Sequence, residues 1–227
     1  MSEVTHNMVP QSAPVPVKPL MRGWLHAAAA VFAVILTVVM IIRSAGSVPK
    51  AVSVAIFGAS LIELYTVSAV YHLGPWQPGV KKILRSIDHS NIFIVIAGTY
   101  TPLCVNILSG VSRIALLSVI WGVAAVGIVL AIFTSKVPRW IHPILYVVMG
   151  WIAVFAMPEF LAAASWTLLI LLITGGALYT VGALVYSFKW PNPFPKVFGY
   201  HEVFHFFTIA GGGVMAVAIW IFAIARP

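Results

Sequence analysis

Seven long apolar runs dominate the sequence and leave few architectures open to it. They cover residues 23–42, 51–73, 87–108, 114–133, 140–157, 166–188 and 201–225. Each approaches the roughly 20 residues that an α-helix needs to cross about 30 Å of hydrocarbon. The runs are continuously apolar and do not alternate, which argues against a transmembrane β-barrel. A water-soluble domain carries about a quarter charged residues. Here only 8% are charged and 61% are hydrophobic, with a mean hydropathy of +1.04. The expected fold is therefore an all-α membrane protein with seven transmembrane helices over residues 22–227. Ahead of it, residues 1–21 read as a short flexible tail interrupted by Pro10, Pro14, Pro16 and Pro19. The run after Arg22 is too long for a signal-peptide core, and no convincing cleavage site follows it.

Basic residues give the runs an orientation. Lys18, Arg22, Lys81, Lys82, Arg85, Lys136, Arg139, Lys189 and Lys196 fall on one side, and Arg43, Lys50, Arg113 and Arg226 on the other. The positive-inside rule then places the N-terminus and its tail in the cytoplasm, and an odd number of crossings places the C-terminus outside. The formal net charge of +8 resides in these short connections. It reads as a topology signal, so no nucleic-acid partner is expected. Trp24, Trp76, Trp140, Trp166, Trp190 and Trp220 lie near span ends, where interfacial anchors belong. Cys104 is the single cysteine, which rules out an intrachain disulfide.

Against so apolar a background, an ionisable residue within a span is a functional candidate. His72 lies at the inner end of span two, with Ser68 one turn deeper on the same face. Asp88 opens span three, and His201 and His205 stack one turn apart at the start of span seven. Ser68, His72, Asp88, His201 and His205 thus share one membrane level. Three imidazoles and a carboxylate suit zinc, with a tetrahedral position left for water. Asp88 can take a proton or orient water, and Ser68 can hydrogen-bond a ligand or a developing oxyanion. Read separately, the same histidines could instead satisfy hydrogen bonds at the headgroup level.

Other polar residues fit this picture less well. His201 to His205 reads H-E-V-F-H, the zincin pattern of two ligands and a glutamate base. No His, Asp, Glu or Cys follows His205 to supply the usual third ligand, so a membrane metalloprotease is a minor alternative. Cys104 lies about 24 Å along the helix from Asp88, in the other leaflet. Glu63 lies about 13 Å deeper than His72 and half a turn round; a buried, protonated acid bonded to a neighbouring helix is expected. His89 is turned about 100° from Asp88, and His142 and His26 read as interfacial. Thr99-Tyr100-Thr101-Pro102 reads as a kink. Gly175, Gly176, Gly182 and Gly211 to Gly213 read as sites of close helix approach.

Three motifs together resemble the hemolysin III family, whose eukaryotic relatives are the progestin and adiponectin receptors (the PAQR group). They are S-A-V-Y-H (Ser68 to His72), L-R-S-I-D-H-S-N-I-F-I-V-I-A-G-T-Y-T-P (Leu84 to Pro102) and F-G-Y-H-E-V-F-H (Phe198 to His205). R-G-W-L-H (Arg22 to His26) is similar to the family's opening. The resemblance implies a seven-helix fold with zinc near the cytoplasmic face. It implies His72, His201 and His205 as ligands, Asp88 held to the metal through water, and Ser68 beside it. Glu202 is not part of the implied set and reads as incidental. The short tail lacks the long soluble N-terminal region of the receptors, so an adiponectin-like ligand is not expected.

The function expected is zinc-dependent hydrolysis of a lipid amide or ester, ceramidase-like, in membrane-lipid homeostasis. Membrane lipids are then substrate or ligand, and a cell membrane, the bacterial plasma membrane, is the location. The alternative is a non-catalytic sensor or a pore-forming cytolysin with structural zinc. Polar residues clustered at one level, rather than along several spans, count against a conducting path.

Overall fold

The structure, a computed structural model, describes residues 18–133 and 141–225. Seven helical spans are long and apolar enough to cross a membrane, and no strand occurs among the described residues. The spans are α1 (Trp24–Arg43), α2 (Val48–Leu73), α3 (Pro78–Ile107), α4 (Gly110–Phe133), a broken fifth span, α7 (Trp166–Phe188) and α8 (Tyr200–Ile219). The fifth consists of α5 (Ile141–Gly150), a 3₁₀ segment (Trp151–Ala156) and α6 (Met157–Ala163). A π-helical turn (Trp220–Ile224) extends α8. The tail as far as residue 17, and Lys136, Arg139, Trp140 and Arg226, lie outside the described residues.

Sequence neighbours pack as neighbours: α1 on α2, α2 on α3, α3 on α4 and α7 on α8, with α8 also meeting α1. Short connections make antiparallel neighbours in a bundle. The innermost span is α3, where Phe93, Ala97 and Cys104 are completely buried. Val31, Phe32, Ile35 and Ile42 of α1 are exposed, as side chains facing lipid should be. Gly212 shows why a small residue is needed in α8: a Cβ there would stand 2.7 Å from the Tyr65 hydroxyl. Gly213 does not share that role, since nothing lies within 4 Å of its Cβ position.

Two spans exceed the apolar runs that predict them. Helix α3 starts at Pro78, so Lys81, Lys82 and Arg85 sit on its first turns rather than in a loop. Proline is favoured at a first helical position, and hydropathy marks only the part of a helix that lies in hydrocarbon. The fifth span continues to Ala163 because Pro158 begins a new helix instead of ending one.

The break in the fifth span is repaired from α3. The Tyr100 hydroxyl donates to the Gly150 carbonyl at 2.7 Å and accepts the Ala153 N–H at 2.7 Å. Non-helical backbone at membrane depth needs such partners, because lipid offers none. Pro102, where a kink is expected, lies inside α3, which runs unbroken from Pro78 to Ile107; nearby, Thr99 and Thr101 donate to the Val95 and Ala97 carbonyls at 2.7 and 2.9 Å.

Glu63 departs from expectation. It is exposed on the outside of α2, because the buried face of that helix runs through Leu61, Leu64, Tyr65 and Ser68. Its carboxylate still has an interhelical partner. With its amide turned to satisfy its surroundings, Asn91 of α3 donates to Ile87 O at 3.0 Å and to Glu63 Oε1 at 3.3 Å.

Candidate metal centre

Helix α2 ends, and α8 begins, at the same end of the bundle, and there the histidines converge. His72 lies in the last turn of α2. His201 and His205 project from the first two turns of α8. One donor atom from each of His72, His201 and His205 lies within 4.8 Å of the others. His72 Nε2 and His201 Nε2 are 3.0 Å apart. Two ligands of a tetrahedral zinc, each about 2.05 Å from the ion, stand roughly 3.3 Å apart. The three imidazoles therefore suit a metal ion in donor type, and the His72–His201 pair is close to the spacing zinc takes.

The start of α8 is held in place by residues far away in sequence. Glu202 is completely buried. Its Oε2 accepts the Gly199 N–H at 2.8 Å, and its Oε1 is ion-paired with Arg22 Nε. Glu202 is thus a structural tie rather than the incidental residue expected, with one oxygen on Gly199 N–H and the other on Arg22. Backbone bonds reinforce the join: Leu20 and Met21 N–H donate to Lys196 and Val197 carbonyls, each at 3.0 Å.

His26 is also misjudged by sequence alone. It is only 3% exposed, not interfacial. Its ring stacks on His205 with centroids 3.8 Å apart and planes 8° from parallel, and its Nε2 pairs with Thr208 Oγ1 at 3.2 Å. The Nδ1 atoms of both His26 and His205 are buried without a hydrogen-bond partner among the described residues. The spacing held a usable signal. Arg22 and His26 are one turn apart, as are Glu202 and His205, so each pair can meet the other across two packed helices. Before α1, Gly23 takes a φ of +90°, and a Cβ there would lie 3.0 Å from His72 Cβ. Glycine thus permits both the turn and the approach of the chain to the end of α2.

Asp88 and Ser68 line the same cavity as the histidines. Ser68 is buried, and its side chain interacts with the Asp88 carboxyl. Asp88 does not join the group of mutually close donor atoms, so it stands beside the triad rather than within it. Cys104 is buried and absent from the cavity wall. His89 and His142 do line that wall, with ring centroids 6.4 Å apart. His89 Nδ1 donates to the Arg85 carbonyl at 2.7 Å. His142, expected to be interfacial, owes its place to α5 packing against α3.

The cavity has a volume of about 520 Å³. It passes from Arg22, Lys82 and Arg85, through the histidines and Asp88, to Tyr100, Trp151 and Met215. A cavity of this size, mostly apolar with a few convergent polar groups, has the character of a small-molecule site.

Residues 16–216 match the Haemolysin-III related family. The Hemolysin-3 homolog of Bacillus subtilis (strain 168) is 35% identical over 182 residues, covering 80% of this chain and 82% of the relative. Hemolysin-3 of Bacillus cereus is 31% identical over 202 residues, covering 88% and 89%. With its seven spans, this chain therefore belongs to the haemolysin-III-related family and is a multi-pass membrane protein.

Proposed function

We propose that this protein is a zinc-dependent hydrolase of a membrane lipid, cleaving an amide or ester bond. The observation that carries the reading is the convergence of His72, His201 and His205 on one point of a cavity that continues inward past them. These histidines would hold the ion, with a coordination position left open, as catalytic zinc sites have. Zinc supplies Lewis acidity there, polarising a carbonyl oxygen and acidifying water. Asp88, beside the triad but outside it, would accept a proton from the attacking water and return it to the leaving group. Ser68 orients that carboxyl. Ile92, Val95 and Ile96, deeper in the wall, shelter an acyl chain. Lys18, Arg22, Lys81, Lys82, Arg85, Lys189 and Lys196 flank this end of the bundle, which supports placing it in the cytoplasm.

The test compares zinc content and turnover. Purified protein should hold about one zinc, and His72→Ala should lose most of it. Asp88→Ala should keep its zinc and lose about 10²- to 10⁴-fold in hydrolysis of N-acyl lipids. Equal turnover in wild type and Asp88→Ala would sink the enzyme reading. A second reading would then stand: a metal clamp in a non-catalytic sensor, supported by the 129-residue separation of His72 and His201. A pore has less support, because the ionisable residues of the cavity wall lie at one end of the bundle and the wall beyond Tyr100 is apolar, through Leu103, Met157 and Phe160. A metalloprotease has less still, since Glu202 is tied to Arg22 and Gly199.

A further inference from the structure

The mouth of the cavity is cationic. Arg22, Lys82 and Arg85 line it, and Asp88 is the only acid among the lining residues. Arg22 is committed to Glu202. Lys82 and Arg85 are exposed, and neither forms an ion pair with a described residue. Lys81 is adjacent and equally exposed, yet it does not line the cavity. Lys82 and Arg85 lie three residues apart on the face of α3 that also carries Ser86 and His89 into the wall. Positive charge at the mouth of a low-dielectric cleft concentrates anions there.

The depth of the cavity sets the length of its occupant. Lys82 to Asp88 is about 9 Å of helix, and Asp88 to Tyr100 about 18 Å more. The deeper part matches the ~15 Å that one leaflet contributes to a hydrocarbon core of about 30 Å. A molecule filling the space would carry its charge at the rim, a polar linkage at the histidines and one chain below.

We infer that the cavity takes a membrane lipid with an anionic headgroup, whose oxyanion is held by Lys82 and Arg85 at the mouth while its acyl linkage lies level with His72 and His201. The inference rests on the proposed lipid site and narrows its substrate class to anionic lipids. It concerns binding and is separable from turnover.

The experiment measures binding by fluorescence anisotropy in a neutral detergent. The probes are tail-labelled lysophosphatidylglycerol, which carries a phosphate oxyanion, and monoacylglycerol, which carries none, with the same single chain. The protein is the full chain carrying Asp88→Ala, so that no probe is consumed. Lysophosphatidylglycerol should bind more tightly, by about five-fold for each basic residue that contributes. Adding Lys82→Gln and Arg85→Gln together should weaken it about 25-fold, while monoacylglycerol binding stays unchanged and reports an intact cavity. Lys81→Gln should change either probe less than about two-fold. Equal affinity for the two probes in the parent protein would overturn the inference. So would an equal loss in Lys81→Gln, which would reduce the rim to a general topology charge. Displacement of both probes by inorganic phosphate alone would also overturn it, by showing a free-anion site. Anionic preference without hydrolysis in wild type would sink the enzyme reading and leave this one standing. Hydrolysis without anionic preference would do the reverse.

Discussion

Glu202→Gln separates a structural glutamate from a catalytic one. Glutamine keeps an acceptor for the Gly199 N–H, which Glu202 now bonds at 2.8 Å, but removes the charge that pairs with Arg22. A hydrogen bond to a charged group contributes about 1.5–3 kcal/mol and a neutral one about 0.5–1.5. Breaking a wholly buried ion pair costs about 3–5 kcal/mol, but the Arg22 side chain is 19% exposed and stays partly hydrated. A loss of about 1.5 kcal/mol follows, or roughly 3–6 °C in Tm for a chain of this length. Glu202→Ala strands both partners and should cost about 3 kcal/mol. Thermal unfolding in detergent gives the Tm. Zinc content and lipid hydrolysis per folded molecule, measured well below it, should remain near wild type for Glu202→Gln. In a zincin the same change removes the general base, with a rate loss of about 10²- to 10⁴-fold and no need for a Tm change. That pattern would refute the structural assignment.

Two further substitutions probe the frame around the site. Tyr100→Phe removes the group that serves both Gly150 O and Ala153 N–H, at a cost of about 2–3 kcal/mol where lipid cannot substitute. Hydrogen exchange should accelerate over residues 150–156, and unchanged protection would count against the repair. Gly23→Ala forces a non-glycine residue to a φ of +90° with its Cβ 3.0 Å from His72 Cβ, a strain of about 1–3 kcal/mol. It should weaken zinc binding, whereas Gly79→Ala, with nothing within 4 Å, should not. Equal zinc affinity in the two variants would refute a link between Gly23 and the site.

Hydropathy located the spans well because a membrane helix is apolar on every side over a length that lipid dictates. It ran short at Pro78, where α3 continues beyond the apolar stretch, and at Pro158, where a proline opens a helix. The clustering of His72, His201 and His205 was readable from depth: an N-terminus on one side fixes which end of each span carries each polar residue. Depth says little about azimuth. It could not show that Glu63 points outward from α2, or that His26 lies flat on His205. Glu202 stands outside the histidine set as the sequence suggests, but its structural role left no local signal, because its partner Arg22 is 180 residues away. The break at Gly150 left no trace because Trp151 to Ala156 is as apolar as a continuous helix, and the hydroxyl that mends it belongs to another span.

Three long-range pairings of the fold meet at one place. His72 reaches His201 across 129 residues, His26 reaches Thr208 across 182, and Arg22 reaches Glu202 across 180. A nascent chain that has inserted six spans therefore holds none of these pairings. One imidazole waits at the end of α2, and the turn before α1 has nothing to grip. Assembly of the site is a report that the last span has entered and docked in register. A metal ion captured at that moment would bridge α2 and α8 and so latch the finished fold.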